Sequence, residues 1–157
     1  MLSEELKVFL LALIPVLETR ASIPFGIVIA NLPALEVLLI SIIGNLIPAP
    51  FLLLGLSALE KWALSGDQGI RGFIAMIYRN LLFKIRRRGE KYIERYGLMG
   101  LAIFVAIPLP GSGVWTGSLL SHILGLKPQR SIIAIAVGSL IAACLILAGT
   151  LGIISLV

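Results

Sequence analysis

The stretch Glu18-Thr19-Arg20-Ala21-Ser22-Ile23-Pro24 carries two charges into an apolar region that runs from residue 8 to residue 35. Before it lie ten uncharged residues, 8–17, and after Arg20 lie fifteen, 21–35, with Pro24, Gly26 and Pro33 among them. A helix needs about 20 apolar residues to cross roughly 30 Å of hydrocarbon. Neither piece is long enough. Apolar stretches of this length read as re-entrant segments, so the chain is expected to enter the membrane and turn back at Glu18–Pro24. Broken backbone at membrane depth needs the shelter of protein or of a water-filled cavity. The other way to thread the region is a single kinked span.

The rest of the chain repeats the theme. Residues 96–126 are uncharged but interrupted by Pro108-Leu109-Pro110-Gly111-Ser112-Gly113, a second expected turn-back. Residues 37–59 and 131–157 give uncharged runs of 23 and 27, each long enough to span. The 157 residues are 59% hydrophobic and only 13% charged, against about 25% charged in soluble domains. That composition excludes a soluble globule, a disordered chain and a disulfide scaffold. One cysteine and one histidine supply neither a bridge nor a metal set, so no cofactor is expected. Glu4 and Glu5 stand where a secretory signal would be basic, so no cleaved leader is expected.

Charge placement orients the spans. Nine of the thirteen basic residues lie between Lys61 and Arg95, and Lys127 and Arg130 follow the second turn-back. With two hairpins and two full spans, these eleven share one face. The positive-inside rule makes that face cytoplasmic and puts both termini outside. A shift of 94 residues lines up Ala12 with Ala106, Leu32 with Leu126, Gly44 with Gly138 and Leu53 with Leu147. An odd number of crossings separates the copies, so they are inverted. The fold class expected is therefore an all-α integral membrane protein built as an inverted repeat. Its parts are residues 1–59, a linker over 60–95 and residues 96–157. Within the linker, apolar residues at helical spacing from Ile70 to Tyr96 accompany Lys84, Arg86, Arg87, Arg88 and Lys91. That pattern reads as an amphipathic helix on the cytoplasmic leaflet, its basic residues on lipid headgroups. Membrane lipids are thus expected partners, and nucleic acid is not.

Glu18 and Arg20 are the strongest functional candidates. A charge in the bilayer interior costs about 2.5–3.5 kcal/mol on insertion scales and persists mainly where it pairs, lines a cavity or moves ions. Arg20 could hold a carboxylate or phosphate through its planar fork, or clamp Glu18. Glu18 is the candidate coupling group. Both also fit a static ion pair bracing the turn. At the other tip, Gly111 and Gly113 allow close backbone approach, and the helix restarting at Val114 offers free N–H groups to an anion. Ser112, Trp115 and Thr116 add hydroxyl and indole contacts, with Ser22 on the first tip. Asn45, within a span, either packs against another helix or faces the pathway. Ala134, Gly138 and Ala142 form a small-residue ridge for contact between repeats or protomers.

Two stretches also resemble a known family. Glu18-Thr19-Arg20-Ala21-Ser22-Ile23-Pro24-Phe25-Gly26, followed by Gly44-Asn45, is similar to the first half of the small multi-drug export protein family. Tyr96-Gly97 and Ile107-Pro108-Leu109-Pro110-Gly111-Ser112-Gly113-Val114-Trp115-Thr116-Gly117 are similar to its second half. That family is distantly similar to the DedA membrane proteins, which also pair two re-entrant hairpins. The resemblance implies a bacterial or archaeal inner-membrane transporter or lipid translocase. DedA proteins usually carry arginine near the second tip, whereas Ser112, Gly113 and Val114 stand here, so a second arginine is not carried over.

The expected function is a small secondary transporter or lipid flippase, proton- or cation-coupled, with its site between the two tips, and a homodimer is plausible. One alternative is a non-transporting scaffold that oligomerises. A second is an intramembrane hydrolase with Ser112 as nucleophile and His122 as base.

Overall fold

The computed structural model describes residues 2–64, 83, 93 and 95–156. The described residues form helices and connecting turns, with no strand. The helices are α1 (Glu4–Leu13), α2 (Glu18–Pro24) running into a π-helical turn (Phe25–Ile29), α3 (Ala34–Leu46) and α4 (Pro48–Leu64). They continue with α5 (Arg95–Ala106), α6 (Val114–Ile123) and α7 (Pro128–Ile154). The expected amphipathic linker helix with Lys84, Arg86, Arg87, Arg88 and Lys91 lies outside the described residues.

Local chemistry accounts for the helix ends. Ser3 caps α1 by accepting from the Leu6 N–H at 3.3 Å, and Glu4 and Glu5 complement the positive end of the helix. Ile14 is extended because Pro15 follows, which stops α1 after Leu13. Pro24 has no N–H for the carbonyl four residues earlier, and the ladder widens beyond it until Ala30 N–H donates to Phe25 C=O at 3.0 Å. Asn31 (φ 54°) and Gly125 (φ 64°) end the α2–π segment and α6 in the left-handed region. Pro128 opens α7, where a missing N–H costs nothing.

α1, the α2–π segment, α5 and α6 contain 10, 12, 12 and 10 residues. At 1.5 Å per residue each is about 15–18 Å long, half the hydrocarbon thickness. In both pairs the chain doubles back. A Cβ on Gly26 would lie 3.1 Å from Val8 across the first break, and one on Gly117 would press on Val105 and Leu101 across the second. Two stretches are long and apolar enough to span: 34–56, which runs through the α3–α4 junction at Pro48, and α7.

The surface pattern is inside out relative to a water-soluble protein. Leu35, Leu39 and Ile43 form an exposed stripe on α3 that Ile47 continues just past its end, while Ser41 and Asn45 are buried. Ser22, Ser118, Ser121, Ser131 and Ser139 are fully buried, and Phe51 and Ile133 are 74% and 64% exposed. So large an exposed apolar surface fits lipid. Ser22 donates to Ser41 at 2.8 Å, and Ser121 to Ser131 at 2.7 Å. These bonds tie α2 to α3 and α6 to α7.

The 94-residue offset reappears in the structure. α3 begins at residue 34 and α7 at 128. Asn31 and Gly125 share their backbone twist. The buried positions 41, 44, 45, 48 and 49 recur at 135, 138, 139, 142 and 143. Asn45 donates through Nδ2 to Ser139 Oγ at 3.0 Å, so a residue touches its own counterpart. The cores interleave likewise. Ala49 and Leu53 pack with Leu101, Val105, Val114 and Leu120, whereas Ala143 packs with Val8, Ile23 and Val37.

Within the small-residue ridge, Gly138 faces α5: a Cβ there would meet Ala102 C=O and Val105, so this glycine seats α5 on α7. Gly44 does the same for Phe9 and Ala12 of α1. The reason is steric: only a helix face without side-chain bulk lets the short helix lie on the long one.

Candidate functional site

The two breaks meet. Glu18, at φ 46°, turns its side chain toward the second tip and is 3% exposed. Its carboxylate accepts from Arg20 Nη1 at 3.2 Å and from the Trp115 backbone N–H at 3.5 Å. A Cβ on Gly113 would overlap that carboxylate, so glycine is required there. α6 has no cap from its own N-cap residue, and Glu18 performs that task from the other half of the chain. The sequence assigned the free N–H groups at Val114 to a bound anion. In the structure the anion is Glu18, placed where the positive end of α6 favours negative charge.

Arg20 joins the tips a second time. Its Nη2 donates to Ser112 Oγ at 3.3 Å, while its buried Nε has no partner. Ser112 in turn donates to the carbonyls of Ile107 and Leu109, closing the Pro108–Pro110 loop. A third contact runs the other way. Trp115 Nε1 donates to Leu13 C=O at 3.2 Å and so satisfies a carbonyl at the end of α1. Each half therefore caps a broken helix of the other. Val16, with φ 75°, is a β-branched residue in the left-handed region, which concentrates backbone strain at this junction.

A cavity of about 240 Å³ opens beside these contacts, lined by Pro15, Val16, Glu18, Arg20, Gly111, Gly113, Trp115, Thr116 and Leu119. Sites for drug-sized ligands usually measure about 300–1,000 Å³. This one fits a small headgroup or part of a larger molecule. The structure thus gathers Glu18, Arg20, Gly111, Ser112, Gly113, Trp115 and Thr116 at one place. The Thr116 hydroxyl bonds back to Gly113 C=O at 3.3 Å.

Ser22 and Asn45 are elsewhere. Ser22 is one helical turn beyond Glu18 and is consumed by Ser41, and Asn45 sits on the Ser139 contact with its Oδ1 unpartnered. Pro15, Val16 and Leu119 line the cavity without having been singled out from sequence. The pair required by the hydrolase alternative does not form. Ser112 precedes α6 and His122 ends it, which separates them by about 15 Å of helix. Among the described residues no cluster of His, Cys, Asp or Glu could hold a metal ion.

The sequence model of the putative small multi-drug export protein family matches residues 18–145, a stretch that begins at Glu18 and takes in both tips. The chain belongs to this family. Comparison with curated proteins and with solved structures returns no match. Family membership, the two long apolar helices and the inside-out surface together make it a helical membrane protein.

Proposed function

We propose that the chain is a small secondary transporter that exports small molecules by alternating access about the junction of its two tips. In this reading each half is a re-entrant hairpin followed by a spanning helix, and the halves are inverted. The matched counterparts at an offset of 94 residues and the Asn45–Ser139 contact support the repeat. Inverted repeats whose broken helices meet near the midplane are the plan of many secondary transporters. The basic 60–95 segment faces the cytoplasm and both termini face outward, following the charge bias.

The observation that carries the proposal is the Glu18–Arg20 pair of one tip seated on the N-terminus of α6 at the other. Charges at membrane depth that also close a cavity are placed to respond to what enters it. Glu18 is the coupling group. A proton or cation that neutralises its carboxylate weakens its hold on α6 and on Arg20, and the tips separate. Arg20, with a spare buried Nε–H, then meets the polar group of the substrate. That same spare donor favours a second reading, translocation of an anionic lipid whose phosphate would accept from it.

Proteoliposomes test both. The expected result is flux of lipophilic substrates driven by a pH or sodium gradient and lost in Glu18→Gln and Arg20→Gln. Flipping of fluorescent anionic phospholipid, with no flux of soluble substrate, would select the second reading. Background flux in every condition would leave the scaffold alternative. The topology is checked in a Cys144→Ser background with cysteines at Val16 and Leu109, both exposed tip residues. Labelling by an impermeant maleimide from opposite sides fits inverted hairpins, and labelling from one side refutes them.

A further inference from the structure

We infer that an anionic phospholipid of the bilayer seats between the start of α7 and the first turns of α4. A groove of about 310 Å³ lies there, walled by Pro50, Leu53, Leu54, Pro128, Ile132 and Ile133. Its lining is apolar apart from Gln129, and Leu54 and Ile133 are 69% and 64% exposed, so it opens on the lipid side. Lys127 precedes the lining residue Pro128 and Arg130 follows within the first turn of α7; both are exposed, and neither forms a salt bridge among the described residues. The first turn of α7 holds no acidic residue.

Depth fixes the kind of occupant. The 27 residues of α7 give a rod of about 40 Å, the hydrocarbon plus headgroup thickness. Lys127 and Arg130 therefore lie at headgroup level, and Ile132 and Ile133 lie at the top of the acyl region. A cationic pair at the headgroup end of the helix that walls a mainly apolar slot matches a phosphate over an acyl chain. The opposite end of the molecule supplies the contrast. α3 begins at the counterpart position, but Glu36 stands where α7 has Arg130, and Pro33 where it has Lys127. Two helix starts alike in backbone thus carry opposite charge, and only one suits an anionic headgroup. The inference rests on neither tip, and only its contrast between the two helix starts rests on the inverted arrangement proposed above.

The test is native mass spectrometry of the detergent-purified chain, titrated with phosphatidylglycerol and with phosphatidylcholine of the same acyl chains. Retention of phosphatidylglycerol about thirtyfold tighter is expected, as two basic residues near a headgroup imply. Lys127→Gln/Arg130→Gln should abolish the preference, and Ile132→Trp, which fills the slot, should weaken binding of both lipids. Thermal melts of the variants confirm that each is folded, and Lys127→Ala/Arg130→Ala replaces the first pair if it is not. Equal retention of the two lipids, or a preference that survives loss of both basic residues, overturns the inference. Displacement of the lipid by millimolar inorganic phosphate also overturns it, since the groove would then add nothing.

Discussion

Gly113→Ala is the sharpest probe of how the tips are joined. The added Cβ would fall on the Glu18 carboxylate, so carboxylate or backbone must withdraw. If the carboxylate leaves, it gives up its bond to the Trp115 N–H and its pairing with Arg20 Nη1. Hydrogen bonds to charged groups contribute about 1.5–3 kcal/mol each, and two are given up, so a loss of about 3–6 kcal/mol is expected. For a chain of this length each kcal/mol moves the melting midpoint by about 2–4 °C, which gives roughly 6–24 °C. The measurement is thermal unfolding in detergent, followed by intrinsic fluorescence. Its control is a double-mutant cycle. In Glu18→Ala the obstructing carboxylate is gone, and Gly113→Ala should then cost about 0.5 kcal/mol or less, a coupling of about 2 kcal/mol or more. Additive effects, or a Gly113→Ala midpoint within 1 °C of the parent, would refute the idea that Glu18 caps α6.

Further outcomes follow from the same contacts. Arg20→Lys should fail to restore the parent midpoint, because a single ammonium cannot donate to Glu18 and Ser112 in the fork geometry; a parental melt and parental flux would contradict this. Trp115→Phe keeps the ring but leaves Leu13 C=O without its donor, at a cost of about 1 kcal/mol read from the same melts. Asn45→Ala and Ser139→Ala should each cost about 0.6–2 kcal/mol and the pair no more than either alone, which a second cycle measures. Gly138→Val should prevent folding, since its side chain would meet the backbone carbonyl of Ala102, and a monodisperse elution profile in detergent would count against that packing.

The breaks, the spans and the charged tip were legible because membranes make exceptions conspicuous. An uncharged run can be measured with a ruler, and Glu18 or Pro108–Gly113 stands out against it. Span ends were less legible. Scanning for uncharged residues started the long helices at 37 and 131, but they begin at Ala34 and Pro128. Glu36 and Arg130 sit in the first turn of each long helix, so a scan for uncharged residues passes over the turn that holds them. Partners were the least legible. Nothing in the one-dimensional pattern says that Ser22 would be satisfied by Ser41, although Ser41 and Asn45 share a face one turn apart. Nor could it show that the anion at the start of α6 would come from this same chain. A vacant helix end and a buried acid are separate local signals, and only three-dimensional closure shows that each completes the other. The ridge at Ala134, Gly138 and Ala142 was visible as a contact face, but small residues do not name the helix they receive.

The tips are unlike, and this difference restricts what the halves can do apart. The first brings an acid and a base; the second brings glycine, a hydroxyl and an unfilled helix start. Two copies of residues 1–59 brought tip to tip would confront one Glu18–Arg20 pair with another and offer neither carboxylate a helix to cap. Two copies of residues 96–157 would present two uncapped starts with no acid between them. The two tips are plug and socket, so the junction is complete only where one of each kind meets the other.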